Sequence, residues 1–219
     1  MRVVAIILTV ALAACSQVPS QDHDSMRMRG HVGHGGQGLV FQSCSAGAPE
    51  QLQDGLSDIS LVELLGELGL GEDRNIFVDL VVQQQEGSLK ATKLIHAAHG
   101  ETKGCDEDPE LLWKANGNEP FWSAQVDVEE ARISRLAETT REWRFSNPVA
   151  ESQGELWRYS LGEADGEPVL LELRRNACRD SMSGHYFAYG AVLRIGEEQL
   201  TGCARTGRAL ADPAPKARP

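Results

Sequence analysis

Leu156–Leu173 reads LWRYSLGEADGEPVLLEL, and its pattern decides the fold class. Trp157, Tyr159 and Leu161 alternate with Arg158 and Ser160, and beyond the turn Val169, Leu171 and Leu173 alternate around Glu172. Period-two alternation is the signature of a strand with one buried face. Between the two runs stands Glu163-Ala164-Asp165-Gly166, and Asp-Gly suits the positive φ values of a tight hairpin turn. The same pattern continues outward on both sides. Upstream, Trp122, Ala124, Val126 and Val128 share one face, and Trp143 and Phe145 alternate with charged neighbours. Downstream, Phe187, Tyr189, Ala191, Leu193 and Ile195 share another, and Gln199–Ala204 closes the set. Short strands at this spacing predict an antiparallel meander, curled into a barrel or sandwich, over residues 112–205.

Residues 37–111 predict a smaller β-domain with one helix. Leu39–Phe41, Asn75–Val82 and Ser88–His96 read as strands. Ile59, Val62, Leu65, Leu68 and Leu70 fall near helical spacing, with Gly69 and Gly71 as stops. This half concentrates the charge. Residues 41–112 carry 14 acidic and 4 basic side chains, net −10, whereas the whole chain of 219 residues carries −11. A balance this acidic excludes a general nucleic-acid binder, which needs a basic footprint. It suits encounter with a basic envelope protein instead. The acidic stretch Asp106–Glu110, broken by Pro109, marks the expected boundary between the halves.

The N-terminus carries the strongest localisation signal. Met1-Arg2 precedes ten residues, Val3–Leu12, that are apolar apart from Thr9. That run is too short to span a bilayer and reads as the core of a signal peptide. It ends in Leu12-Ala13-Ala14-Cys15, which resembles a bacterial lipobox. The resemblance implies cleavage after residue 14, acylation of Cys15 and a membrane-held protein. Ser16, a residue other than Asp after the lipidated Cys, implies the outer membrane, facing the periplasm of a Gram-negative cell. Several acyl chains anchor firmly where one does not. Residues 15–36, polar and rich in Gly, Ser and His, are expected as a flexible tether, and residues 206–219 as a disordered tail.

Four cysteines remain after Cys15: Cys44, Cys105, Cys178 and Cys203. An even number in an exported chain predicts disulfides. Three connectivities exist, and locality along the chain favours Cys44–Cys105 and Cys178–Cys203.

Two stretches carry a further resemblance. Ala115–Trp122 reads ANGNEPFW, and Cys178–Gly184 reads CRDSMSG, followed by Tyr186-Phe187 and later Gly202-Cys203. Together they resemble a proteobacterial envelope lipoprotein family with GNEPFW and C-x-D-x-M-S…GC motifs. The resemblance covers about Leu112–Arg205 and implies location and fold; it implies no activity. His185-Tyr186-Phe187 lacks the Pro usual in that family. The first half is similar, through its strand, Cys44, helix and Cys105, to the small OB-like modules of envelope-stress lipoproteins such as the copper-homeostasis and adhesion-sensing lipoprotein.

The motifs predict one cluster. Gly117 is expected to free a turn, Pro120 to set φ before the next strand, and Trp122 to fill the core below. The candidate ligand surface comprises Asn118, Glu119, Trp122, Asp180, Tyr186 and Tyr189, at the mouth of the barrel. For metals, His31 and His34 in the tether are the candidates, with Met26 and Met28 as soft sulfur donors. No resident cofactor is expected. Enzymatic readings find no foothold: the chain has no GxSxG, no GxGxxG and no phosphate loop, and Glu119 with Asp180 lacks an obvious cleft for glycosidic chemistry. The expectation is a non-enzymatic binding or envelope-stress lipoprotein. The alternatives are an inhibitor of lysozyme-like hydrolases, whose targets are basic, and a metal-responsive lipoprotein using the His/Met tether.

Overall fold

The Asp165-Gly166 hairpin forms as its residues require. Ala164 pairs with Glu167 across it, and Asp165 and Gly166 hold φ of 55° and 86°. Two consecutive positive φ values are what a two-residue turn needs to match the twist of its strands. This is seen in a computed structural model that describes residues 25–36, 38–100, 102–106, 110–136 and 139–208. The described residues are mainly β, with one α-helix among them. The expected signal segment, Cys15, residues 16–24, residues 107–109 of the expected boundary and residues 209–219 lie outside the described residues.

The N-terminal half is a closed five-stranded barrel. Its strands are β1 (Ser25–Gly35), β2 (Gly38–Ser43), β3 (Glu50–Asp54), β4 (Ile76–Gln85) and β5 (Ser88–His99). β1 pairs with both β2 and β4, β4 pairs with β5, and β5 closes the ring by running parallel to β3, Leu52 opposite Leu89. That order, with helix α1 (Leu61–Glu67) between β3 and β4, is OB-type connectivity. Val32, Phe41, Leu80, Val82 and Leu89 fill the interior, and Leu61, Leu64 and Leu65 of α1 are buried with them. The Ser60 hydroxyl accepts from the backbone N–H of Glu63 at 3.3 Å, and Asp54 Oδ2 accepts from Leu61 N at 2.8 Å. These satisfy N–H groups that a helix start leaves without partners. The helix is shorter than its apolar spacing suggests, and Ile59 lies in the loop before it.

Residues 25–35 correct the tether reading. They are strand β1, paired on both edges. The stretch hides from pattern reading because Val32 is its one fully buried apolar residue and three glycines interrupt it. Gly30 explains the composition: a Cβ there would lie 2.1 Å from the Gln42 carbonyl oxygen and 2.7 Å from the Phe41 ring. The strand trades side chains for a close approach.

The C-terminal half is a meander of nine strands: β6 (Trp113–Asn118), β7 (Phe121–Val126), β8 (Glu130–Leu136), β9 (Thr140–Ser146), β10 (Ala150–Gln153), β11 (Leu156–Ala164), β12 (Glu167–Arg179), β13 (Tyr186–Ile195) and β14 (Glu198–Thr206). Successive strands pair antiparallel, except at a seam between β9 and β10, and β14 returns against β6. Phe145 on β9 packs over Gly162 on β11 across that seam. Trp113, Trp122, Ile133, Leu171, Leu173, Tyr189 and Leu193 form the interior. Val128, expected on the inner face, is 61% exposed because β7 ends at Val126 and the chain turns there.

The halves share one sheet. β5 pairs with β13 through Ala97–Tyr186 and His96–Phe187. A second join runs through the hydrogen bonds of Arg27. Arg27 and Arg29 of β1 both donate to Asp79 of β4, which is fully buried, and Arg27 also donates to the carbonyls of Thr206 and Gly207 at 2.9 and 2.6 Å. Gly207 in turn donates to Leu112 O at 2.6 Å, so the ordered body runs past Arg205, where the tail was expected to begin at 206. Cys44–Cys105 and Cys178–Cys203 are both disulfide-bonded, each with a Cα–Cα distance of 5.5 Å. Chain entropy assigns them roughly 4 and 3.5 kcal/mol.

Candidate functional site

The two motif stretches meet. β6 and β7 turn through Glu119-Pro120, whose peptide bond is cis, with Asn118 opposite Phe121. The next residue, Trp122, is fully buried, and its indole N–H donates to Thr201 O at 3.1 Å. Glycines flank the indole. A Cβ on Gly117 would lie 2.2 Å from Thr201 O and 2.3 Å from Trp122 Nε1, and one on Gly202 would lie 2.1 Å from Asn116 O. Gly117 therefore sits inside a strand and makes room for the Trp; it does not free a turn. The Cys178–Cys203 bridge lies directly beside Gly202.

Asp180 ties the second motif to the first. Its Oδ1 accepts from Met182 N at 3.1 Å, from Ser183 N at 2.7 Å and from Ser183 Oγ at 2.8 Å. Its Oδ2 accepts from Asn118 Nδ2 at 2.9 Å and Asn116 Nδ2 at 3.4 Å. Burial pushes its pKa up, but the donors from Ser183, Asn118 and Met182 outweigh that and hold the carboxyl below its ordinary value. Asp180 is thus an ionised anchor whose lone pairs are already engaged. Asn118 Nδ2 also reaches Ser181 Oγ at 3.2 Å. Glu119 is exposed at the rim of the shallow 390 Å³ depression over this knot.

The six residues of the expected ligand surface separate into three places. Asn118, Glu119 and Asp180 form the knot, and Trp122 lies beneath it in the core. Tyr189 is fully buried inside the meander, 5.0 Å from the Trp113 ring and 5.7 Å from that of Trp157, with the Arg175 guanidinium 5.8 Å from its centroid. Tyr186 is on the other face of β13, because residues three apart on a strand point to opposite sides. It lines a different cleft, of about 580 Å³, in the crease between the halves. Leu56 and Ile59 from the loop before α1, Thr92 and Leu94 of β5, and Arg175 and Ala177 of β12 form the other walls. Sequence reading missed this cleft. Its one local trace is in β5, where Lys93 breaks the alternation and the pairing with β4 shifts register nearby.

The metal candidates also separate. His31 and His34 are on β1, and their odd spacing sends them to opposite faces. His31 packs edge-on to Phe77 at 5.7 Å, and Met28 packs against the barrel core. Three other histidines gather at the junction: His99 and His185 rings are 5.0 Å apart, and His96 is 6.1 Å from His185. His96 is neutral. Burial, then the positive charge of Arg205, holds its pKa well below the usual 6.5, while Nδ1 bonds Tyr186 O at 2.7 Å. The ring nitrogens of His99 lie 2.8 Å from Leu68 O and 3.0 Å from Ser183 O. Among the described residues, no group of three His, Cys, Asp or Glu side chains is placed to hold a metal ion.

Comparison with protein-family models, with curated proteins and with solved structures gave no match to this chain. The functional reading therefore rests on the residues themselves.

Proposed function

We propose that the protein is a lipid-anchored binding module of the Gram-negative envelope, held at the outer membrane through Cys15, facing the periplasm and acting without catalysis. The observation that carries this reading is the pairing of cysteines. All four cysteines of the folded body are consumed in disulfides, which suits an oxidising compartment and leaves the fifth, Cys15, as the odd thiol at the end of an apolar leader. The motif face speaks against acid–base chemistry there: Asp180, its most buried carboxylate, spends both oxygens on hydrogen bonds within the fold. The test is expression of the full chain in a Gram-negative host fed labelled palmitate. Label and protein are expected together in the outer-membrane fraction, and both are lost from that fraction in Cys15→Ser. Unlabelled wild-type protein, or wild-type protein in the soluble fraction, would overturn the anchor.

A further inference from the structure

The crease cleft has the features of a peptide site. It holds about 580 Å³, within the ordinary range for ligand sites. One wall is an interrupted strand edge. β5 pairs with β3 as far as Ala91 and with β13 from His96 onward, while β4 runs along its other edge. Between those points, over Thr92–Ile95, no strand runs alongside the first edge among the described residues. Strand edges present N–H and C=O groups that an added strand pairs with. The opposite wall is also an edge: β11 follows β12 to Arg174, Arg175 N still donates to Glu155 O at 2.9 Å, and Asn176 and Ala177 line the cleft beyond that point.

Side chains supply the remaining recognition. Leu56, Ile59 and Leu94 give the cleft an apolar wall. Tyr186 is only 9% exposed as a residue, but its hydroxyl, which makes no hydrogen bond among the described residues, keeps contact with solvent at the cleft. Burial, with a smaller contribution from Asp58, raises its pKa against the opposing Arg175 and Arg179, so it stays a neutral donor. A hydroxyl open to the cleft exchanges a water for a ligand carbonyl at the modest net gain of one neutral hydrogen bond.

We propose that the cleft binds an extended peptide of about four residues, which adds as a strand to β5 at Thr92–Ile95 and accepts a hydrogen bond from the Tyr186 phenol. Four residues at ~3.3 Å each match the length of the interrupted edge. This deepens the binding-module reading and rests on it.

The test uses the full chain in detergent and a pool of acetylated, amidated pentapeptides with apolar residues at alternate positions, read by amide hydrogen exchange. Millimolar peptide is expected to slow exchange within Thr92–Ile95. Backbone N-methylation of alternate peptide residues, in one of its two registers, is expected to abolish that protection. Tyr186→Phe, which keeps the ring and the packing, is expected to weaken it ~5-fold, the value of one neutral hydrogen bond. Absent protection, or equal protection by both N-methylated registers, would overturn the proposal. So would protection that appears without peptide and scales with protein concentration, which would assign the edge to a second copy of the chain. Because palmitate labelling of Cys15 is read separately, failure of the peptide leaves the anchor standing, and failure of the anchor leaves the exchange result interpretable.

Discussion

The motif knot and the crease cleft are both built from polar residues against an apolar core, yet they are opposite in kind. In the knot both Asp180 oxygens and the Asn118 amide nitrogen have partners, and the glycines at 117 and 202 are shaped around the Trp122 indole. In the cleft the Tyr186 hydroxyl meets solvent and no partner among the described residues, and the pairing of one β5 edge is interrupted. Satisfaction marks a folding device, because an engaged lone pair has little left to offer a ligand. An unmet group marks a place where something else can bind. The residues most conspicuous in the sequence therefore hold the fold, and a less conspicuous tyrosine marks the opening.

If that contrast is right, variants in the knot lose stability and variants in the cleft lose binding. Trp122→Ala should cost about 3–5 kcal/mol, read from the urea midpoint, as for other buried aromatics cut to Ala. A loss under 1 kcal/mol would show that the knot is not a folding device. Replacing Cys178 and Cys203 together by Ser should cost roughly 3.5 kcal/mol on the loop-entropy estimate, with the reduced wild type as the matching control. Asp180→Ala should cost about 1–3 kcal/mol by stranding the Ser183 and Asn118 donors. If this variant loses a ligand while keeping its stability, the knot and the cleft have exchanged roles.

The pH dependence separates the regions further. His96 has a folded pKa below its unfolded value near 6.5, so the unfolded chain takes up protons first as pH falls. Stability should hold above about pH 6.5 and decline below it, and His96→Phe should flatten that decline. Asp180, also lowered in the folded state, keeps its contribution above its unfolded pKa, about 3.9, and loses it as pH falls through the lower folded value. Urea midpoints from pH 8 to pH 3 read both. The smallest effect on stability belongs to Tyr186→Phe, expected within ~0.5 kcal/mol of wild type because the hydroxyl it removes has no partner among the described residues. A larger loss would show that the phenol serves the core.

Much of the fold was legible because alternation is a local property. The strands around Asp165-Gly166 follow from which residues are apolar, and the buried face of β13 at Tyr189, Ala191 and Leu193 follows in the same way. β1 was not legible. Gly30 and Gly33 contribute no apolar face, and their role depends on Phe41 and Asn75 of other segments. The motif residues were legible as a cluster but not as a site. Spacing alone placed Tyr186 and Tyr189 together with Asp180, whereas the pleat of β13 sends them to opposite sides of the sheet.

By itself, the sequence determined the β class, the hairpin order of the meander, the acidic balance of the first half and a cysteine count that pairs neatly once Cys15 is set aside. Each of these depends on residues near one another in the chain or on composition. Only the tertiary structure decided that β5 closes a barrel against β3, that residues 25–35 belong to it, and that Asp180 is spent on Asn118. It also decided that a cleft opens where β5 passes from one neighbour to the next. Those outcomes depend on groups tens of residues apart meeting at hydrogen-bond distance, and that information lies in the closing of the sheet and not in any local pattern.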